Sequence, residues 1–223
     1  MKIRFIYGEL PFWRAEVGRI ALFIGNIDFD DVRISHEEFS QVKTIGKLFD
    51  GTIIPFRQLP CLNIDGRSIC QTGGIARFCG KLGGLYPKSD LINSVLIDQV
   101  IDMATDINIL LGPSGKEEDL NRKKSLREEL ASFAIPRKLS FLEELLIENR
   151  SGWFVSNKMT IADIAIWRLM GWLTSGMLDY MPIDLLKPFS EINRVCLSVE
   201  THPKVKEWVQ KTYPKNYKSG SFE

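Results

Sequence analysis

Polar and apolar positions alternate with period two over residues 2 to 7, Lys-Ile-Arg-Phe-Ile-Tyr, which predicts a short strand. From Arg14 to Gly25 the period lengthens. Apolar residues recur at helical spacing and a glycine closes the run, so a helix follows the strand. Residues 28 to 34 alternate again and predict a second strand. Ser35 and Glu38 then stand at the spacing of a capping box, in which each side chain satisfies a main-chain donor of the other, and they predict a helix opening near Phe39. Beyond Pro55, two short stretches, Cys61 to Ile64 and Arg67 to Cys70, flank Asp65-Gly66, the dipeptide of a tight hairpin. A further helix is expected from about Thr72.

The predicted order β-α-β-α-β-β-α, with a proline at the start of the third strand, fits an α/β thioredoxin-like domain over residues 1–83. Two glycines and a proline in Gly83-Gly-Leu-Tyr-Pro87 punctuate the chain, so residues 84–89 are read as a linker. Residues 90–223 are helical in pattern, with candidate helices over 90 to 110, 120 to 149, 160 to 178, 189 to 198 and 203 to 211, and predict an all-α domain. Thr160-Ile-Ala-Asp163 has capping-box spacing and is read as a structural helix start within it.

Composition narrows the classes of function. With 223 residues and 44% hydrophobic content the chain buries a core without metal or disulfide staples. Its 29 Lys+Arg against 28 Asp+Glu leave a net charge of +1, which calls for neither nucleic acid nor an acidic membrane as partner. No apolar run reaches the roughly 18 residues of a membrane span and the N-terminus lacks the pattern of a secretory leader, so a cytoplasmic protein is expected. Cys61, Cys70, Cys79 and Cys196 have no CxxC spacing and only His36 and His202 could join them, so no metal site is expected. Cys61 is expected to point into the core, and the other three show no redox partner along the sequence.

Five motifs carry a resemblance that spans nearly the whole chain: Tyr7 at the end of the first strand, Arg14-Ala-Glu16 opening the first helix, Gln58-Leu-Pro60 before the hairpin, Gln71-Thr72 after it, and Thr160-Ile-Ala-Asp163. Together they resemble the cytosolic glutathione transferases, and most nearly the tyrosine-type, sigma-like group that includes the haematopoietic prostaglandin D synthases. The resemblance implies glutathione as co-substrate, no further cofactor, and a small hydrophobic electrophile as second substrate. Phe39 and Lys43 stand where that group commonly has tryptophan and lysine. The chain departs from the pattern by one extra residue between Tyr7 and Arg14 and by a lengthened loop, residues 47 to 54, before Gln58.

In that family the proline equivalent to Pro60 is cis, and Leu59 pairs its main chain with the cysteinyl part of glutathione as an added strand would. A helix beginning at Gln71-Thr72 offers unpaired N–H groups and a positive dipole end to the γ-glutamyl carboxylate; an ordinary helix cap is the alternative reading of the same pair. Tyr7 would donate a hydrogen bond to the glutathione sulfur, and no serine or cysteine between Tyr7 and Arg33 can replace it. Arg14 would support Tyr7 electrostatically, although pairing with a surface carboxylate is the commoner fate of an arginine. Lys43 is expected at the glycine end.

Asp98, Asp102 and Asp106 fall four residues apart and so share a helix face. The resemblance implies a homodimer in which Asp102 reaches the glutathione of the neighbouring copy; a solvated acidic face is the alternative. Phe12, Trp13, Met103, Ile107 and Leu110 are the candidates for the second-substrate pocket, and a core reading serves the last three nearly as well. Conjugation of glutathione, glutathione-dependent isomerisation of a prostaglandin-type endoperoxide, and non-catalytic ligand binding all remain open at the level of sequence.

Overall fold

The computed structural model describes residues 1–222 and divides the chain into two compact units, Met1–Lys88 and Ser89–Glu223. In the first, β1 (Ile3–Tyr7), α1 (Trp13–Ile24), β2 (Asp30–Arg33), α2 (His36–Ile45), β3 (Cys61–Ile64), β4 (Arg67–Cys70) and α3 (Thr72–Gly83) follow in the predicted order. The sheet runs β2-β1-β3-β4, with β1 parallel to β2 and antiparallel to β3. This is the thioredoxin-like arrangement. The hairpin between β3 and β4 turns on Asp65 and Gly66, both at positive φ (48° and 87°), the backbone that a two-residue loop needs to match strand twist.

Helices α1 and α3 pack together, and glycine permits the approach: a Cβ on Gly83 would strike the Ala21 carbonyl. A second core of Ile6, Ile34, Val42, Leu48, Ile54, Cys61 and Cys70 forms with Val32, Phe39 and Leu59 packed against it. The lengthened loop contributes to this core. Its Leu48 N–H bonds the Thr52 carbonyl at 3.0 Å, Lys47 bridges Ile53, and Arg4 of β1 holds Thr52 at 2.9 Å and Asp50 at 2.8 Å. Helix α2 begins at His36, earlier than the sequence suggests. Ser35 does accept from the Glu38 N–H at 3.1 Å, but the Glu38 carboxylate turns to the Phe49 N–H at 2.9 Å, so the box is half made.

The second unit is all helix: α4 (Leu91–Leu110), α5 (Gly112–Lys116), α6 (Leu120–Glu129), α7 (Ile135–Asn149), α8 (Ile161–Leu173), α9 (Ser190–Thr201) and α10 (Pro203–Thr212). A π-helical turn, Leu130–Ala134, joins α6 to α7 just before Pro136, whose missing N–H cannot serve the regular ladder. Short α5 went unpredicted because Gly112-Pro113 reads as a break; the proline sits in its first turn, where no N–H is needed. Helix α8 is buried on nearly every side, and its start is fixed by the capping box expected at Thr160, with Asp163 accepting from the Thr160 and Phe154 N–H groups at 2.7 and 2.9 Å. The C-terminal segment is tied to α8 through buried Arg168, which donates to the Ser219 carbonyl and the Tyr217 hydroxyl. Among the described residues no helix is long and apolar enough to cross a membrane.

Candidate active site

Tyr7 ends β1 half-buried, and its carbonyl takes the Ile34 N–H at 2.9 Å, locking it to the end of β2. Burial pushes its phenol up to about 12, with the Arg14 and Arg19 guanidiniums pulling the other way. The hydroxyl therefore stays protonated across the physiological range and is a donor, not a base. Below the ring, the Arg19 guanidinium lies 5.8 Å from its centroid. Arg19 is fully buried and held by Glu16 at 3.1 Å and Asp31 at 2.7 Å, and Asp31 also accepts from Arg33 at 3.0 Å. Arg33 in turn donates to the Glu9 carbonyl at 3.3 Å, so the ion cluster grips the turn just after Tyr7.

A cleft of about 660 Å³ opens at this end of the sheet. Its lining brings together Tyr7, Phe39 and Leu59 from the sequence analysis and adds Gly8, Glu9, Leu10, Ile34, Ser35 and His36. The added residues directly follow β1 and β2. Ligands of open α/β sheets bind beyond the carboxyl ends of strands, and that rule was the signal that could have found them.

The Leu59–Pro60 peptide is cis, as the resemblance implies, and the Leu59 main chain makes no hydrogen bond to the described residues. Pro60 itself is buried, whereas Gln58 and Gln71 are exposed. Phe39 is half-buried on α2, and Lys43, one turn on, holds its ammonium 4.5 Å from the Phe39 ring centroid.

At the start of α3 the ordinary cap is absent. Gln71 precedes the helix at φ 80° and ψ 119° and its side chain caps nothing, while the Thr72 hydroxyl accepts from Arg14 Nη1 at 3.2 Å. The first-turn N–H groups are thus left for another partner. A non-glycine residue at positive φ costs on the order of 1–3 kcal/mol, and such residues cluster at ligand sites. Arg14, the expected support of Tyr7, makes no ion pair with a carboxylate among the described residues; it stacks over Trp13 at 5.1 Å and bonds Thr72. Arg14 thus joins the Tyr7 and Thr72 ends of the site.

Two pocket expectations need correction. Trp13 and Ile107 are both 0% exposed, so neither has surface to present to a ligand; helical spacing marked the correct faces, and both faces turned inward. Phe12 is half-buried beside Trp13, with ring centroids 6.4 Å apart. Met103 and Leu110 are half-buried on α4, and Met103 Sδ takes the Lys138 ammonium at 3.8 Å. Of the acidic stripe, Asp106 is paired with Lys138 at 2.9 Å, whereas Asp102 is exposed and makes no ion pair among the described residues. No cluster that could hold a metal ion occurs among the described residues.

Residues 106–212 match the family model described as glutathione S-transferase, C-terminal domain. Glutathione S-transferase 3 of Caenorhabditis elegans is 30% identical over 204 residues, covering 88% of this chain and 90% of that protein. Hematopoietic prostaglandin D synthase of Gallus gallus is 27% identical over 198 residues, covering 89% and 90%. Among solved structures, prostaglandin synthase D of Nilaparvata lugens superposes with a TM-score of 0.81 at 26% identity, over 96% of this chain and 99% of that one. The chain belongs to the glutathione S-transferase family and is a glutathione transferase enzyme with glutathione as co-substrate.

Proposed function

We propose that the cleft at the ends of β1 and β2 binds glutathione with its sulfur at Tyr7 and transfers it to small hydrophobic electrophiles. The observation that carries this reading is the place of Tyr7 at the end of β1, in the lining of the cleft. A free thiol with a pKa near 8.5 is only about 3% thiolate at pH 7, and each unit by which a donor lowers it is worth roughly 1.4 kcal/mol. Tyr7 donates its hydrogen bond to the sulfur and favours the anion. The thiolate then attacks the electrophilic carbon, the carbon–sulfur bond forms and the leaving group departs with its electron pair.

The other contacts are those the resemblance implies. Leu59 offers its unpaired main chain to the cysteinyl part, Gln58 lies beside it, and Pro60 holds the turn. The open start of α3 at Gln71 and Thr72 receives the γ-glutamyl carboxylate, supported by Arg14. Lys43, kept over Phe39, meets the carboxylate at the glycine end. Phe12 falls to the electrophile. The working enzyme is a homodimer of the cytoplasm in which Asp102 of one copy meets the γ-glutamyl ammonium held by the other.

Retention on glutathione-agarose together with conjugation of a generic aryl halide tests the reading. Tyr7→Phe is expected to keep retention and lose about 10²–10³ in kcat, the usual cost of removing one donor to a developing or stabilised anion. Full activity in that variant at neutral pH would refute it. The likeness to two prostaglandin D synthases supports a second reading, isomerisation of a prostaglandin-type endoperoxide by the same thiolate. Turnover of such an endoperoxide without conjugation of any aryl halide would select it.

A further inference from the structure

Cys61 and Cys70, which showed no partner along the sequence, are opposite each other in the β3–β4 ladder. Counting from the two-residue turn, Ile64 and Arg67 form a hydrogen-bonded pair, so Cys61 and Cys70 fall at a non-hydrogen-bonded pair. Cα atoms at such pairs lie about 4.5 Å apart, inside the range a disulfide spans. Both side chains are on the same face, within one apolar cluster. Cys70 belongs to the edge strand and keeps 6% exposure, while Cys61 has none, so only a small oxidant suits the pair.

Their position gives the pair a consequence. Cys61 follows Leu59–Pro60 directly, and Cys70 precedes Gln71-Thr72 directly, so the two cysteines join the ends of the strands that carry both halves of the glutathione contact. Cys70 Sγ also donates to the Gln58 carbonyl at 3.4 Å, a bond that needs its proton.

We propose that Cys61 and Cys70 are a modification site, oxidised by a small peroxide to a cross-strand disulfide that ties the Leu59–Pro60 segment to Gln71-Thr72 and weakens glutathione binding. The effect on binding rests on the function proposed above; the disulfide does not. The Cys61 sulfur attacks one oxygen of hydrogen peroxide, and its thiol proton passes to the departing oxygen. The O–O bond breaks, hydroxide leaves and is protonated to water, and Cys61 becomes a sulfenic acid. Cys70 sulfur then attacks Cys61 sulfur, the S–O bond breaks, and the Cys70 proton leaves with the hydroxyl as a second water. Two thiols lose two electrons and the peroxide gains them. The Cys70 hydrogen bond ends at that step: the sulfurs close to about 2 Å and the Gln58 carbonyl loses its donor.

The sequence supplies the assay. Trypsin cuts after Arg57, Arg67 and Arg77, which separates Gln58–Arg67 from Ser68–Arg77, one cysteine on each. Reduced protein is treated with hydrogen peroxide, denatured in alkylating agent and digested without reductant. The expected product is the linked peptide pair, lighter than their sum by two hydrogens and split by dithiothreitol, with Cys79 and Cys196 alkylated. Calorimetric titration of the intact protein is expected to show glutathione affinity falling at least tenfold on oxidation, and no change on peroxide treatment of Cys70→Ser or Cys70→Ala, whose folds are checked by circular dichroism. Recovery of the two peptides singly, as alkylated thiols or separately over-oxidised acids, overturns the site. A linked pair with undiminished glutathione affinity overturns its effect. If the reduced protein fails to bind glutathione at all, the function proposed above fails, and the peptide linkage still decides the site.

Discussion

Asp163 shows how a single carboxylate can organise a helix and leave a trace in pH dependence. It is completely buried at the start of α8, where it accepts hydrogen bonds from the Thr160 N–H at 2.7 Å, the Phe154 N–H at 2.9 Å and the Thr160 hydroxyl at 2.9 Å. Burial nevertheless outweighs these bonds and raises its pKa from 3.8 to about 6. A group raised in the folded state lends stability that is fully present below its unfolded pKa and is lost as pH rises through the folded one. Between about pH 4 and pH 6 the contribution of Asp163 therefore falls, by about 3 kcal/mol. Asp163→Asn presents an amide N–H to main-chain donors and is expected to be less stable throughout. Its deficit relative to the parent is expected to shrink as pH rises from 4 to 7, measured by thermal melts in parallel. A deficit that stays constant over that window would assign Asp163 an unshifted pKa. At the same scale, Tyr7 and Gln71 stood out in the sequence as candidates because their motifs are local. The cross-strand partnership of Cys61 and Cys70 went unread, although the two-residue Asp65-Gly66 turn fixes the register that pairs them.

The elements that form the site depend on ends more than on interiors. Helix α3 opens on Gln71 at φ 80°, outside the wells that L-residues favour, with no side chain on its first-turn donors. Gln71→Gly relieves the Cβ conflict and loosens the unfolded chain, two effects of opposite sign and about 1 kcal/mol each. The melting temperature is expected to stay within about 4 °C of the parent, given roughly 2–4 °C per kcal/mol for a chain of this size. Glutathione affinity is expected to fall several-fold because the side-chain amide is lost. A large drop in melting temperature with unchanged affinity would return Gln71 to a purely structural role. The element order was legible throughout the first unit because period two and period 3.6 separate cleanly, and the Asp65-Gly66 turn announced its hairpin. The fold of the lengthened loop was not legible. Its Leu48 joins a core that reaches back to Ile6 and its tether to Arg4 spans more than forty residues, which no local pattern encodes. Nor did periodicity distinguish a pocket wall from a core: Trp13 and Ile107 lie on faces that are apolar for either reason, and only packing shows that they are buried.

For the whole molecule, the proposed function involves two copies and a stabilised thiolate. Asp102, exposed on α4 without an ion pair among the described residues, is the side chain proposed to act across copies. Sedimentation is expected to give a dimer for both the parent and Asp102→Asn, with glutathione bound several-fold more weakly by the variant; a monomeric parent, or equal affinity, would exclude the shared contact. The central claim concerns the sulfur. Bound glutathione can be titrated by the ultraviolet absorbance of its thiolate, in the parent and in Tyr7→Phe, each at saturating glutathione. The parent is expected to show the thiolate already at pH 7, and Tyr7→Phe to bind glutathione yet show it only as pH approaches the free-thiol value of about 8.5. Identical titrations for the two proteins would contradict the role assigned to Tyr7.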